Sequence, residues 1–515
     1  MMYEDLPKGW AFASIGSLVS LVNGFAFKPS HWKQTGLPIV RIQNLNDPEA
    51  PFNYCPDSIP EKFRIRNGDL LFAWSGTPGT SFGAHVWGGE DAYLNQHIFR
   101  VVFDERFLNK KFLRHAINRN LAQYIRAAHG GAGLAHITKG KFESSVLRIP
   151  PFPEQDRIVA EIEKQFSRLD AGVAALRRVE ANLKRYKAAV LKAACTGRLT
   201  ADWRAAHPDV EPASKLLDRI LRDRRRRWEE AELAKMKAKG KPAKDTRWKG
   251  KYGEPLAPRK DDLPELPETW YWGALGQVAE IQGGIQKQPK RRPSKNAHPF
   301  LRVANVFRGR LDLSDVHQIE LFCGELDRLR LEAGDLLIVE GNGSKSEIGR
   351  CALWDGSIAD CVHQNHIIRA RSLQCDPKYL DIYWNSPLGQ QRVMEVAAST
   401  SGLYTLSVSK VTVIPVPIPP LSEQAVIVEA VEDAMSLVEA ADTAARNSNI
   451  RASRLRQSIL KNAFEGKLVE QNPTDEPASV LLDRIRAERE RRPAHSRAKR
   501  GGAGRRGVEK AKRGG

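Results

Sequence analysis

The longest regular series of apolar positions in the chain lies between Pro150 and Leu199, where leucine and valine recur every seven residues. The series consists of Leu169, Leu176, Leu183 and Val190, and the residues that follow the last three by three positions are Val179, Tyr186 and Ala193. This spacing is typical of the a and d positions of a coiled coil. Prolines precede the series and Gly197 follows it, as at the start and stop of a helix. The pattern predicts one long helix over about 153–197.

The same stretch occurs a second time, 269 residues further along the chain, beginning at Pro419. Both copies start with Pro-Pro-x-x-Glu-Gln, and both end in Gly-x-Leu, at Gly197 and Gly466. Because one missing residue would rotate a helical face by about 100°, the constant length between these ends indicates a rigid helix. A second long helix is therefore predicted over about 422–466. Its apolar positions, in a less regular rhythm, are Ile427, Val431, Met435, Val438, Ala445, Leu455 and Ile459.

Each predicted long helix follows a segment of short apolar runs that are separated by Gly, Pro and Asn. In the first segment the runs are Pro38–Ile42, Asp69–Trp74 and His97–Phe103, which indicate strands, and residues 107–128 favour helix. Residues 263–418 repeat this order loosely, with a growing offset that places the insertions in loops. The fold class predicted is mixed α/β (α+β), with two similar globular domains that are each followed by a long helix.

The remaining segments are basic. The predicted boundaries are 1–149 and 263–418 for the globular domains, 150–199 and 419–468 for the long helices, 200–239 and 469–492 for accessory helices, 240–262 for a linker and 493–515 for a disordered tail. The two accessory helices share Glu-Pro-Ala-Ser and Leu-Leu-Asp-Arg-Ile. The run Arg224–Arg227 has three interpretations at this stage: phosphate contact, a solvated helix face, or docking onto a partner subunit.

Charge narrows the class of partner. The chain has 515 residues, enough for two to four domains, and a formal net charge of +20, which favours a polyanion such as nucleic acid. It has neither a run of 18 apolar residues nor a signal-peptide start, so a cytoplasmic protein is expected. The six cysteines show no C-x-x-C pair and are expected to be buried, reduced thiols.

Several catalytic signatures are incomplete. No Gly-Lys pair precedes Ser or Thr, so a Walker A loop is excluded. Ile149 replaces the polar residue that an amino-methyltransferase motif requires before Pro-Pro-aromatic. Ser81 lies in the letters of a G-x-S-x-G elbow, but Gly88-Gly89 leaves no room for the helix that should follow. His97 and His366 lie in apolar runs without ligands at zinc spacing, which favours core histidines and no metal site. The chain is therefore predicted to bind and not to catalyse.

Basic residues in loops are the candidates for DNA contact, because phosphates are bound by lysine and arginine. They are Lys28, Lys139, Lys141, Lys287, Arg291, Arg292 and Lys345. For any single residue, ordinary solvated charge is the alternative. The pairs Arg41/Asn44 and Arg302/Asn305 recur in both domains, so we expect them to have structural roles.

The duplicated order of globular domain, Pro-Pro-x-x-Glu-Gln helix and Gly-x-Leu end resembles the specificity subunit of type I restriction-modification systems. The resemblance covers the chain from Leu6 to about Arg492. It implies two target-recognition domains separated by two long, antiparallel coiled-coil helices with a pseudo-two-fold relation. It also implies double-stranded DNA, two methyltransferase (modification) subunits and restriction motor-nuclease subunits as partners. S-adenosylmethionine, ATP and Mg would be bound by those partners, and no cofactor by this chain.

The resemblance and the repeat together suggest a target made of two unlike half-sites. Half-sites on one face of DNA lie about 34–36 Å apart, and the pseudo-two-fold matches the local dyad of the duplex. We expect the helices to set the length of an unread spacer through a coiled-coil or partner interface at Leu169, Leu176, Leu183, Val190, Val438, Leu455 and Ile459. The alternative is a coiled-coil scaffold with two RNA- or peptide-binding modules. An enzymatic role for this chain alone is a more distant possibility.

Overall fold

The structure is a computed structural model that describes residues 6–47, 49–56, 59–76, 81–121, 124–125, 135–240, 243, 245–259, 262–400 and 403–491. The predicted disordered tail at 493–515 lies outside these residues. In the part of the chain that is described, no helix has the length and apolar character needed to cross a membrane.

The α-helices of the described residues include two that are much longer than the rest. In chain order, the α-helices are α1 (Ile15–Leu18), α2 (Ile42–Asn46), α3 (Lys110–Arg119), α4 (Lys139–Glu143), α5 (Phe152–Cys195), α6 (Ala201–Ala206), α7 (Ala213–Ala238), α8 (Leu275–Val278), α9 (Glu325–Leu329), α10 (Pro377–Asn385), α11 (Pro387–Val396), α12 (Val408–Thr412), α13 (Leu421–Phe464) and α14 (Ala478–Arg491). The two long helices are α5 and α13. Short 3-10 helices are Pro29–His31, Glu61–Phe63, Arg247–Lys251, Pro289–Arg291 and Val303–Asn305.

The strands are short and fall into two series. The first is β1 (Ala11–Ser14), β2 (Ser20–Asn23), β3 (Leu37–Val40), β4 (Asn53–Cys55), β5 (Arg64–Ile65), β6 (Leu70–Ala73), β7 (Ser75–Gly76), β8 (Gly83–Val86), β9 (Ala92–Leu94), β10 (Ile98–Val102), β11 (Ala135–His136) and β12 (Val146–Ile149). The second is β13 (Tyr271–Ala274), β14 (Ala279–Gly283), β15 (Ala297–Leu301), β16 (Val306–Phe307), β17 (Arg310–Leu311), β18 (His317–Glu320), β19 (Leu336–Val339), β20 (Gly341–Asn342), β21 (Cys351–Leu353), β22 (Val362–His363), β23 (Ile367–Ser372), β24 (Ala398–Thr400), β25 (Leu403–Thr405) and β26 (Pro415–Ile418).

Contacts divide the chain into two units. Unit 1 contains the chain up to Ala175 and the segment from Ser448 onward, and unit 2 is Leu176–Asn447. The C-terminal part of α13 and the helix α14 therefore belong to the same unit as the first globular domain. In the same way, the C-terminal part of α5 and the helix α7 belong with the second. The domain boundaries predicted from the sequence divide the chain into consecutive segments, so they do not show that each unit combines segments from both halves of the chain.

The main sheet of unit 1 is antiparallel, in the order β2-β10-β6-β8. A second sheet, β4-β3-β9-β5, contains the parallel pair β3 and β9, and β1 pairs with β12 just before α5 begins. The core under the main sheet is aromatic: the rings of Phe72 and Phe142 stack at 3.9 Å, and Phe112 and Tyr124 are buried. Burial of such side chains contributes roughly 1.5–3 kcal/mol each.

The main sheet of unit 2 repeats this order as β14-β23-β19-β21, and β13 pairs with β26 as β1 pairs with β12. The predicted duplication of a mixed domain is confirmed. The hairpin β16–β17 is particular to unit 2 among the described residues, and its Val306 packs with Leu337 and Trp354 in a separate small core. Insertions between the copies thus lie in connections, as predicted.

The two long helices, each of 44 residues, pair in both units. In unit 1, Ile158 and Ile162 of α5 share a core with Ile459 and Ala463 of α13, and Asp170 contacts Arg456. In unit 2, the C-terminal part of α5, including Ala194, shares a core with Ile427 and other residues near the start of α13. Early residues of one helix meet late residues of the other, so the pair is antiparallel.

The buried face of α5 differs in part from the predicted seam. Leu169, Leu176 and Leu183 are half-buried and Val190 is buried, but Val179 and Tyr186 are 43% and 49% exposed. Half-buried side chains lie instead four residues after Leu169 and Leu176, at Val173 and Glu180. The choice between a three- and a four-residue step depends on where the partner helix lies, which the leucine series alone does not specify.

On α13 the outcome is also mixed. Ile459 is buried and Val438 is half-buried, as expected for an interface between helices, whereas Leu455 is 50% exposed. Leu455 is therefore not covered by the described part of this chain.

The predicted linker between the halves is packed over much of its described length. Trp248 of the 3-10 helix Arg247–Lys251 stacks on Trp228 of α7 with ring centroids 6.0 Å apart, and Tyr252 lies 5.2 Å from Trp228. Lys249 adds an ion pair with Glu229 at 2.8 Å. The sequence does not predict this packing, in which Trp248 and Tyr252 of the linker cover Trp228 of the preceding helix.

A buried carboxyl group in unit 2 leads to a pH-dependent prediction. Asp381 of α10 accepts a hydrogen bond from Asn385 at 2.9 Å, and its burial raises its pKa to about 7. Between pH 4 and 7 the folded state holds a proton that the unfolded state has released, so this group lowers stability as pH rises through that window.

We expect Asp381→Asn to increase the free energy of unfolding at pH 8 by about 2–4 kcal/mol. The gain should shrink as pH falls toward 4, because the folded carboxyl is then neutral and the unfolded one is becoming protonated as well. Urea unfolding of both proteins at pH 8 and pH 4.5 measures this, and an equal difference at the two pH values would contradict it.

Candidate nucleic-acid interface

In unit 1, several loops converge at one end of the main sheet. The antiparallel register pairs Asn23 of β2 with Phe99, and Ala73 of β6 with Ile98. The loops after β2 and β6 and the turn before β10 therefore meet there, and β11 joins them by pairing with β7. We call this region the loop end of unit 1. Of the predicted DNA contacts, Lys28 lies in the loop that follows β2.

Unit 2 has an equivalent loop end, because its main sheet has the same order and register. Gly283 of β14 pairs with Ile368, and Val339 of β19 pairs with Ile367. The loop after β14 carries Lys287 and Arg292, and the loop after β20 carries Lys345. The structure thus brings together basic residues that lie up to 58 positions apart in this unit (Lys287 to Lys345).

Four of the predicted contacts have the exposure that a phosphate contact requires. Lys28, Lys287, Arg292 and Lys345 are exposed, and none forms an ion pair with another described residue. Such residues contribute to DNA affinity by displacing condensed counterions. Their role in DNA binding stays a prediction.

The other three predicted contacts have partners within their own unit. The Arg291 guanidinium donates two hydrogen bonds of 2.8 Å to Glu325, and this holds the pKa of Glu325 down to about 2. Lys139 Nζ donates to the Leu21 carbonyl at 3.1 Å. Lys141 is exposed on the same short helix α4, where its backbone N–H donates to Thr138. Arg291 and Lys139 therefore hold loops in place, whatever else they contact.

The prediction that His97 and His366 are core histidines was wrong. Both lie at the loop ends: the His97 ring is 5.4 Å from that of Trp74, and the His366 side chain is 58% exposed. Burial lowers the pKa of His97, and the nearby His136 lowers it further. The apolar residues that follow each histidine in the sequence suggested a buried position. Each histidine instead lies in a turn just before a strand, β10 or β23. The turns are closed by hydrogen bonds from the Ile98 N–H to the Asn95 carbonyl and from the Ile367 N–H to the Gln364 carbonyl. The fully buried histidine is His363.

The Pro-Pro-x-x-Glu-Gln motif attaches each globular domain to its long helix. Glu154 accepts a hydrogen bond from the Trp10 indole at 3.0 Å, and Gln155 Oε1 accepts the backbone N–H of Asn109 at 2.9 Å. In unit 2 the equivalent bonds join Glu423 to Trp270 at 2.9 Å and Gln424 to the N–H of Asp376 at 2.8 Å. All four motif side chains are buried. The motif is therefore a structural joint.

The remaining sequence candidates also have structural explanations. Asn44 and Asn305 each accept the backbone N–H of the arginine three residues before them, at 3.0 and 2.8 Å, so these repeated pairs are turn-forming as predicted. Ser81 is buried and precedes the strand β8, which does not fit a nucleophile elbow. Arg224 donates to the Gly276 carbonyl at 2.5 Å, so this member of the arginine run docks onto its own domain.

Comparison with known proteins identifies one family to which this chain is similar. The family model described as "Type I restriction modification DNA specificity domain" matches residues 7–176. The EcoKI specificity subunit of Escherichia coli (strain K12) is 26% identical over 522 residues, covering 95% of this chain and 97% of that protein. The EcoBI specificity subunit of Escherichia coli is 26% identical over 513 residues, covering 94% of this chain and 93% of that protein.

The fold is also found among solved structures. A chain from a structure described as "Structural basis underlying complex assembly and conformational transition of the type I R-M system" superposes with a TM-score of 0.62 at 18% identity, covering 90% of this chain and 100% of that chain. The duplicated joint motif, the matched family model and the relatives aligned over nearly their whole length agree. The chain is similar to type I restriction-modification specificity subunits over nearly its whole length, and residues 7–176 match the DNA specificity domain of that family.

Proposed function

We propose that this chain selects the DNA target of a type I restriction-modification complex, each unit reading one of two unlike half-sites on either side of an unread spacer. The observation that carries the proposal is the pair of equivalent loop ends. Both expose basic side chains, at Lys28 in one unit and at Lys287, Arg292 and Lys345 in the other, on scaffolds with the same strand order. The net charge of +20 supports a DNA partner.

The two loop ends differ in their side chains and in their insertions, while the strands that carry them have the same order and register. Such divergence suits recognition of two different sequences, because base reading depends on the side chains that reach the groove. Phosphate contacts from the exposed basic residues would supply affinity and orientation. The comparisons do not favour the alternative of a scaffold with RNA- or peptide-binding modules.

We further propose that the long helices dock two modification subunits, and that restriction motor-nuclease subunits join them. Apolar side chains stand exposed on these helices: Val179, Tyr186 and Leu437 in unit 2 are 43%, 49% and 70% exposed. In unit 1, Ile450 and Leu455 are 51% and 50% exposed. Contiguous exposed apolar surface is typical of protein interfaces. In this proposal the chain is non-catalytic, and S-adenosylmethionine, ATP and Mg are bound by the partners.

Methylation mapping tests the proposed function. The chain is co-expressed with a type I modification subunit from its source organism, and modified bases are located across the host genome by long-read sequencing. We expect one bipartite motif with a spacer of constant length, absent when this chain is omitted. Methylation without any bipartite motif, or unchanged in the absence of this chain, would refute the proposal.

A further inference from the structure

We propose that Glu340, positioned by His366, accepts a hydrogen bond from the major-groove amino group of adenine or cytosine in the half-site bound by unit 2. This inference rests on the proposed function and adds a residue, a half-site and a class of base to it. Its starting point is that one backbone position at the loop end carries a carboxylate in unit 2 and an indole in unit 1.

Backbone hydrogen bonds show that Glu340 and Trp74 occupy the same position. The N–H of Trp74 donates to the His97 carbonyl at 3.3 Å, and the N–H of Glu340 donates to the His366 carbonyl at 2.9 Å. The carbonyl of Trp74 accepts from Ile137 at 3.1 Å, and that of Glu340 accepts from Leu406 at 2.7 Å. Each residue directly follows the equivalent strand of its main sheet, β6 in unit 1 and β19 in unit 2. The two units therefore offer different chemistry at one place in a shared frame.

The Glu340 carboxylate is held at the surface by a chain of hydrogen bonds. Its Oε2 lies 3.2 Å from His366 Nδ1, and His366 Nε2 lies 3.4 Å from Asn365 Nδ2. Because Nδ2 of Asn365 can only donate, the imidazole accepts at Nε2 and donates from Nδ1 to Glu340. This arrangement orients one carboxylate oxygen. The other, Oε1, has no hydrogen-bond partner among the described residues, and the side chain is 30% exposed.

A carboxylate is an unusual group for a DNA-facing loop end. Glu340 lies between β19 and β20, and Lys345 lies in the loop that follows β20. The Glu340 carboxylate makes no ion pair with any lysine or arginine of the described residues. Near phosphates, a negative charge opposes binding unless it accepts a hydrogen bond from the DNA. Carboxylate oxygens accept only, so they suit the amino group of cytosine N4 or adenine N6 and reject the O6 of guanine and the O4 of thymine.

Unit 1 has no carboxylate at the matching position. Trp74 lies between His97 and His136, with ring centroids 5.4 and 5.9 Å away. An indole and imidazoles offer stacking surface and donors, so the half-site of unit 1 should show no requirement for an amino group from this position. The difference makes the inference specific to one half-site.

The test is a comparison of Glu340→Gln with the wild-type chain in the complex with its modification subunit. Methylation rates are measured on duplexes in which each position of both half-sites is changed singly. Glutamine has nearly the same shape but also donates, so it can pair with adenine N6 and N7, guanine O6 or thymine O4. At one position of the unit 2 half-site the relative methylation rates among the four bases should therefore change by roughly 5- to 150-fold. All positions of the other half-site should keep their preferences.

Glu332→Gln is the matched control. Glu332 lies before the opposite end of the same strand β19, where it forms an ion pair with Arg371 at 2.5 Å, so its replacement should leave both half-sites unchanged. His366→Asn gives a second variant for the positioning role, and a smaller loss of preference at the same base position is expected. Thermal unfolding of each variant reports on folding separately.

Two results would overturn the inference. One is an unchanged base preference in Glu340→Gln, and the other is a uniform fall in methylation without change in preference at any position. Both outcomes leave the proposed function standing, which fails only if the wild-type complex shows no bipartite motif.

Discussion

Replacing Glu423 by alanine is expected to destabilise unit 2 by about 3–5 kcal/mol, because it removes one partner of a buried ion pair. The Glu423 side chain is fully buried and accepts hydrogen bonds from Thr200 at 2.6 Å, Arg204 at 2.5 Å and Trp270 at 2.9 Å. After the substitution the 17%-exposed Arg204 side chain and the buried indole would lose their acceptor. Urea unfolding of the full chain, followed by tryptophan fluorescence, measures the loss.

Glu154→Ala in unit 1 is the matched control for this substitution. Glu154 accepts one hydrogen bond from the Trp10 indole, while the neighbouring Arg157 pairs at 2.6 Å with Asp475. Burial raises the pKa of Glu154, so its charge is less well compensated than that of an ion-paired carboxylate. We expect a smaller loss, about 1–3 kcal/mol. Equal losses at the two sites would show that the Arg204 contact contributes nothing measurable.

Lengthening both long helices by four residues is expected to move methylation to targets whose spacer is about two base pairs longer. Four residues add about one turn, or 6 Å, and 10–10.5 base pairs of DNA span about 34–36 Å. The insertions would follow Lys184 in α5 and Val438 in α13, because the helices have equal length and pair antiparallel in both units. Methylation mapping of the variant complex gives the spacer directly, and both half-site sequences should stay the same.

An insertion in α5 alone is the control for the spacer prediction. It leaves one turn without a counterpart on α13, so we expect loss of stability and weak methylation instead of a new, well-defined spacer. The idea that the helices set the spacer would be wrong if the double insertion altered the half-site bases and kept the original spacer length.

The secondary-structure elements whose signals come from residues close together in the sequence were predicted to within two residues at each end. The predicted helices over 153–197 and 422–466 are observed as Phe152–Cys195 and Leu421–Phe464. Helix boundaries follow from proline and glycine stereochemistry, and a constant interval between them leaves no room for a loop. The repeat of the globular domain was visible for the same reason, since anchors such as Gly68-Asp-Leu-Leu and Gly334-Asp-Leu-Leu recur in order.

The environment of a side chain was predicted less well. Val179 and Tyr186 fit the heptad rhythm and are exposed, and His366 lies in an apolar run and is at the surface. Arg291 looked like a free loop cation, but its partner Glu325 lies 34 residues further along the chain. In each case the deciding contact, or its absence, involves a part of the chain that the local pattern does not specify.

The sequence by itself therefore determined the two long helices, the duplication of the domain and the positions of the joint motif. Only the tertiary structure decided which faces are covered, how Glu423 meets Thr200 from 223 residues away, and which loop residues converge at the ends of the main sheets. The physical reason is range. Backbone stereochemistry and periodicity act over a few residues, whereas burial and ion pairing depend on segments that only folding brings together.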